Sequence, residues 1–422
     1  RDPTWLDNNT IVLMQKNSER WKLIRYSISE NTSQTIYEIE EGNFFRYDVS
    51  LKEGLIALTA VHHDGNNYIE ILDLQGQLLS SHRIKYPKEI ANFRIISPNF
   101  SPFKDLLVFS TGRQLFTLSY KGEVTNISLP VDRPMGTPIF HPDEDRMLVI
   151  KGFYDSDIAS MPLAKVNSES QKNEQSEKYR VIGRSNASED NALFQPNGEL
   201  VIYESSRTGV RQIWVADGSG TRPLTDFPKD TYFIGMDWSI DGNSFLVNVN
   251  KTLNQVSLDG NKKEISLPFP VENLFQWDSE NHTALVRVRK NGVLRLAELN
   301  LATSEVTVIN EKQVIWALKS ESGVLIYMDR MERFWLPGPA EDKLIEPLNN
   351  QGSDKHFVIK DDVIYGVNDD FQLWSYSLQS ESFEVIGDLP RNMELLTDVN
   401  DSEVLMSVYI NAKKEVAEII LK

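Results

Sequence analysis

Residues 194–228 read Phe194-Gln-Pro-Asn-Gly198-Glu-Leu-Val-Ile-Tyr-Glu-Ser-Ser-Arg207-Thr-Gly209-Val-Arg-Gln-Ile-Trp214, then Asp217-Gly218 and Pro223-Leu-Thr225-Asp-Phe-Pro228. An apolar step, a Pro-Asn-Gly turn, a β-rich run, a second turn at Arg207–Gly209 and two further short β segments make a small four-stranded sheet. Pro-Asn-Gly supplies the positive-φ positions that a tight hairpin needs. The same layout recurs at close to 40 residues along the chain. Turns fall at Leu51–Gly54, His141–Glu144, Ser239–Gly242, Asp278–Asn281, Ser320–Gly323 and Val399–Ser402, each followed by an apolar run. Trp238, Trp277 and Trp316 are spaced 39 residues apart, as are Trp335 and Trp374. One four-stranded unit cannot bury both of its faces, so repetition at this period predicts stacked sheets.

The predicted fold class is therefore all-β, a β-propeller of four-stranded antiparallel blades. About ten repeats are expected near 4–40, 44–85, 95–130, 136–185, 191–228, 233–269, 273–309, 314–348, 355–390 and 394–422. A single large ring over 1–422 is favoured, because no stretch has the character of an inter-domain linker. The alternative is two propellers split near 166–190. Near-continuous Leu/Val/Ile runs such as Leu200–Tyr203 suit strands covered on both faces. Aromatic residues ending the first strand of a repeat, Trp238 and Trp277 among them, are expected between blades. The polar run Val166–Lys178 reads as a mobile insertion within a blade, with Tyr179–Gly183 as a delayed fourth strand.

Composition narrows the function. The chain carries 44 Lys and Arg against 61 Asp and Glu, a formal charge of −17, which argues against nucleic acid as a partner. No run approaches the ~20 apolar residues of a membrane helix, so no membrane span is expected in this chain. There is no cysteine, which excludes disulfides and thiolate chemistry and suits an oxidising compartment. The chain opens at Arg1-Asp2-Pro3 close to the first repeat and ends on what reads as the third strand of the last. The expectation is an excised domain of a longer protein, with a closing fourth strand supplied from upstream.

Catalytic patterns are weak. His62 and His63 are adjacent, which in a strand sends them to opposite faces and disfavours ligation of one metal. Gly-x-Ser-x-Gly does not occur, and the Asp-rich turns Asp361-Asp362 and Asp369-Asp370 lack the spacing of a calcium loop. The reading is not an enzyme, with no catalytic residues, no metal and no cofactor. What a propeller offers is a central funnel ringed by the connections entering each blade. Those connections carry Arg46, Arg94, Arg133, Asp190, Asp230, Tyr232, Glu272, Gln313, His356 and Arg391. Of these, Arg46, Arg94, Arg133, Asp230, Tyr232, His356 and Arg391 are the candidate axial site for a protein partner or a small or peptidic, carboxylate-bearing ligand.

The pattern Gln-Pro-Asn-Gly198, Ser-Ser-Arg207-Thr-Gly, Gln-Ile-Trp214, Asp217-Gly and Leu-Thr225 resembles the TolB-type propeller repeat. The match is good over 191–228, fair over 233–260, and elsewhere reduces to hydrophobic spacing. Arg184–Asp190 through Trp238-Ser, with Leu274–Ser279, Ile315–Ser320 and Ala412–Glu415, resembles the extracytoplasmic part of CadC/ToxR-like membrane transcription regulators. That resemblance implies a periplasmic sensor domain of an inner-membrane protein, tethered by an upstream helix and preceded by a winged helix, taking part in signal transduction. The alternatives are a free-standing TolB-like periplasmic interaction protein and a fragment of a propeller-containing hydrolase or lyase.

Overall fold

The structure is a computed structural model. It describes residues 3–420 except 17–20, 41, 63, 65, 88–95, 104, 112–113, 128–134, 142–143, 145, 167–178, 229–230, 291–292, 311, 313, 330–331 and 354. Among these residues the chain is almost wholly β, in antiparallel sheets of which all but one are meanders of four consecutive strands. Between them the sheets account for nine hydrogen-bonded groups, one fewer than the ten repeats expected. Two strands explain the difference. Arg146–Pro162 and Glu403–Ile420 run 17 and 18 residues as neighbours in one sheet, which merges the fourth and tenth repeats. Residues 413–420 thus continue the second strand of the last repeat and are not its third.

The chain divides into two compact units. Unit one is Arg1–Phe153, Lys290–Val293 and Lys413–Lys422; unit two is Tyr154–Arg289 and Leu294–Ala412. The first boundary between the units falls at Phe153/Tyr154, within the strand Arg146–Pro162. Of the interval 166–190, 167–178 lies outside the described residues; Arg180–Ile182 pairs with Ile158–Ser160 as the delayed edge strand.

Unit one holds four sheets, each packed on the next through its own aliphatic core. Val12, Leu23 and Ile56 join the first two, Ile69, Leu107 and Phe109 the second and third, and Leu115, Met147 and Val149 the third and fourth. Unit two holds six. Five are four-stranded meanders, whose innermost strands are Glu189–Phe194, Phe233–Trp238, Asn273–Asp278, Val314–Lys319 and Phe357–Lys360. The sixth is assembled from chain segments far apart in sequence: Met393–Val399 innermost, then the first part of Glu403–Ile420, the second part of Arg146–Pro162, and Arg180–Ile182.

Six junctions, each bridged by a hydrogen bond, close these innermost strands into a ring. Asp398 Oδ2 accepts from Phe194 N at 2.9 Å, and Gln195 Nε2 donates to Gly242 O at 2.8 Å. Asp237 Oδ2 accepts from Trp277 N at 2.7 Å. Gln276 pairs with both backbone groups of Lys319, at 2.7 and 3.0 Å. Trp316 Nε1 donates to Phe357 O at 2.8 Å, and Leu396 N donates to Lys355 O at 3.0 Å. Backbone groups at sheet edges that face a core must find partners, and these side chains provide them. Unit one uses the same device: Asp48 Oδ2 accepts from Phe100 N at 2.7 Å. Trp238 and Trp277 are buried between sheets, as their periodic placement predicts.

Candidate functional site

The six innermost strands of unit two enclose an axial cavity of about 140 Å³. Each strand contributes to its wall, and the polar groups on it are few: Asn191, Asp237, Gln276, Lys319, His356, Thr397 and Asp398. Five of the six innermost strands carry a register shift, with Gly235 (φ +94°) in one and Asn191 (φ +51°) in another. A bulge bends a strand and re-aims the side chains beyond it.

Asp237 and Asp398 are tied down at both carboxylate oxygens, by Trp238 N and Trp277 N and by Val399 N and Phe194 N respectively. Burial nevertheless pushes both carboxyls up to about 7, against the pull of these N–H donors. They act first as latches between sheets. The signal that could have found them is positional: an Asp or Gln directly before the aromatic or Val that ends the first strand, as in Asp48-Val49, Asp237-Trp238, Gln276-Trp277 and Asp398-Val399.

Among the described residues, His356 is the one predicted site residue in the cavity wall. Its ring lies flat on Trp316, centroids 4.0 Å apart and 7° from parallel, and its backbone sits in the left-handed region at φ +66°. Phe275 meets Trp316 edge-on, with ring centroids 5.6 Å apart. Arg391 lies in the connection entering Met393–Val399, and its guanidinium stands 5.4 Å from the centre of the Phe371 ring. Lys355 approaches the same ring at 5.3 Å. Phe371 itself has φ +63°, a conformation an aromatic residue adopts only when its surroundings over-determine it. Tyr232 enters Phe233–Trp238, its N–H donating to Asn250 Oδ1 at 3.1 Å. Sequence reasoning missed Lys355, Trp316 and Phe371, because nothing in a one-dimensional pattern marks which turn shares a ring with which cation.

The remaining predicted residues divide differently. Arg46 belongs to the strand Gly42–Ser50 of unit one, where Nε donates to Ser97 Oγ at 3.1 Å and Nη1 to Phe45 O at 2.8 Å. Of the described residues among the seven, Arg46 is a residue of unit one, and Tyr232, His356 and Arg391 are residues of unit two. Arg94, Arg133, Asp230 and Gln313 lie outside the described residues. Asp190 stands 3.8 Å from Arg211, whose other carboxylate partner is Glu204 at 2.9 Å. Glu272 is shared by Lys251 at 2.5 Å and Arg289 at 3.2 Å. Burial pulls the Lys251 ammonium down to about 8, outweighing Glu272.

Arg207, the arginine of the Ser-Arg-x-Gly signature, is a clamp within its sheet. It donates to Glu189 Oε1 at 2.8 Å, Thr221 Oγ1 at 3.2 Å, Tyr203 Oη at 3.1 Å and Gly183 O, and stacks 4.3 Å over Trp214. Thr225 of the Leu-Thr pair accepts from Ile213 N and donates to Gln212 Oε1. The signature residues are therefore committed to holding the sheet. Among the described residues no group of three or more His, Cys, Asp or Glu side chains is placed to hold a metal ion. No helix among them is long and apolar enough to cross a membrane.

No family model matches the sequence, and no curated protein matches it. Similar solved structures include TolB from Acinetobacter baumannii, with a TM-score of 0.39 and 10% identity over 76% of this chain and 80% of that one. A putative TolB from Agrobacterium tumefaciens matches with a TM-score of 0.31 and 12% identity, covering 79% of this chain and 94% of that one. The tricorn protease matches with a TM-score of 0.24 and 11% identity, over 91% of this chain and 44% of the protease.

Proposed function

We propose that the chain is a non-enzymatic interaction and sensory module whose unit two receives a carboxylate-bearing peptide or small ligand at the entry end of its axial cavity. The observation that carries this is the His356–Trp316 stack in the cavity wall, held in a strained backbone conformation beside the entry to its strand. Strain of this kind costs of order 1–3 kcal/mol and persists where a surrounding structure imposes it, commonly at binding sites. Lys355 and Arg391, each within 5.4 Å of the centre of the Phe371 ring, bring two cations to one aromatic residue, a chemistry suited to a carboxylate with an apolar neighbour. The sequence resemblance to CadC/ToxR-like regulators supports a periplasmic setting and an upstream membrane tether. In that setting a ligand acts by favouring one of two arrangements of the sensor, through its different affinity for each.

The test is calorimetric titration with peptides of one sequence bearing either a free or an amidated C-terminus. Binding of the free-acid form, abolished in Arg391→Glu and weakened in His356→Ala with melting temperature unchanged, is the expected result. Equal binding of both forms, or turnover of peptides or esters by the purified chain, overturns the reading.

A further inference from the structure

The axial cavity of unit two has two chemically different ends. Late residues of neighbouring innermost strands meet at the junctions, Phe194 with Asp398, Asp237 with Trp277 and Gln276 with Lys319. These residues therefore share one end, while Lys355, His356 and Arg391 precede their strands and stand at the other. At the late end the carboxylates of Asp237 and Asp398 line the cavity. Each of their oxygens accepts one backbone N–H, which leaves every oxygen a second lone pair. The lysines of that end are engaged elsewhere. Lys319 pairs with Glu298, and Lys360, whose charge is felt at Asp398, pairs with Asp361 at 2.8 Å. Burial pushes both carboxyls up to about 7, and at Asp237 the charge of Asp398 adds to the rise. Between the two ends the wall is apolar, with Met236, Leu274, Leu318, Val358 and Leu395.

We infer that the cavity takes a bipolar ligand, a peptide ending in lysine, with its carboxylate at Lys355 and Arg391 and its side-chain ammonium at Asp237 and Asp398. This rests on the carboxylate reading above and adds the group bound at the opposite end. Two neighbouring carboxylates taken out of water without a cation are costly. An ammonium supplies the missing charge, together with three donors for the spare lone pairs. The length fits as well. Leu396 N donates to Lys355 O at 3.0 Å, and Asp398 lies two residues further along that strand, about 7 Å at the rise of a β-strand. Lysine carries its ammonium on a four-carbon stem, which covers that span while its methylenes lie against the apolar wall. The cavity of about 140 Å³ is close in size to the ~150 Å³ apolar cavity that holds one benzene molecule. That is room for one such stem and not for a folded segment.

The test is calorimetric titration of the 422-residue chain with peptides of one sequence that differ only at the C-terminal residue. That residue is lysine, norleucine or Nε-acetyllysine as the free acid, or lysine as the amide. Norleucine keeps the four-carbon stem and lacks the ammonium; acetyllysine keeps the nitrogen and lacks its charge. The lysine acid is expected to bind at least about tenfold more tightly than the norleucine and acetyllysine acids, as close charge pairs do. Asp398→Asn is expected to abolish that preference, and Asp237→Asn likewise. The comparison among peptides uses the parent chain and stands whether or not these variants fold. Equal affinity for the lysine and norleucine acids overturns this inference and leaves the carboxylate reading in place. A preference for lysine with equal affinity for its acid and its amide overturns the carboxylate reading, and with it the bipolar ligand, leaving an ammonium site alone. Binding of none of the peptides overturns both.

Discussion

Trp277 shows how a repeated residue acquires its role. It packs with Leu274, Ala284 and Val286, and its backbone N–H is the donor to Asp237 in the neighbouring sheet. Trp277→Ala is expected to cost about 3–5 kcal/mol in urea unfolding, as large-to-small core changes do; a midpoint equal to the parent's would place the indole outside the core. Glu204 offers a pH test. It is 1% exposed, and burial pushes its carboxyl from 4.5 up to about 7 despite Arg211 and Asn191. Between those values the folded chain keeps a proton that the unfolded chain releases. The stability contributed by this proton is full below the lower value and is lost as pH rises through the upper one. The urea midpoint of the parent should therefore rise relative to Glu204→Gln as pH falls from 8 to 5. A gap that narrows with falling pH contradicts the assignment.

The innermost strand is the element that makes unit two a ring, and Gly235 shows how closely two such strands approach. A Cβ built there would lie 1.9 Å from the carbonyl oxygen of Leu274 in the next sheet, and φ is +94°. Gly209, at φ +80° in an exposed turn, meets nothing within 4 Å. Gly209→Ala is expected to cost about 1 kcal/mol through its backbone conformation alone. Gly235→Ala is expected to cost at least roughly 2–3 kcal/mol, because backbone must move as well. Equal losses in thermal unfolding would show that the innermost strands can separate without penalty. The Pro-Asn-Gly and Ile-Asp-Gly turns were legible from residue types, since positive φ at Asn197 and Gly242 is a local demand. Gly235 was not, because the demand on it comes from a strand about 40 residues away.

At the scale of the molecule the two units have separate cores. Six of the eight tryptophans, from Trp214 to Trp374, lie in unit two, and Trp5 and Trp21 in unit one. Scanning calorimetry is expected to show two transitions, only the unit-two transition carrying most of the tryptophan fluorescence change. One transition with equal calorimetric and van't Hoff enthalpies would show the units to unfold as one cooperative body.

Strand, turn and repeat were determined by the sequence itself, because alternation, positive-φ turns and apolar runs are demands each segment makes on its near neighbours. Burial of Trp238 and Trp277 follows from the same local repetition. Tertiary structure alone decided how many sheets close together. A four-stranded meander is satisfied by any pair of neighbouring sheets, so its sequence is silent on ring size. Here closure depends on Tyr154–Pro162 joining Glu403–Ala412 and Met393–Val399 in the sixth sheet, a pairing across about 240 residues that no local pattern encodes. The site followed the same division. His356 and Arg391 were legible as residues at strand entries, but their meeting with Trp316 and Phe371 exists only once the ring has closed.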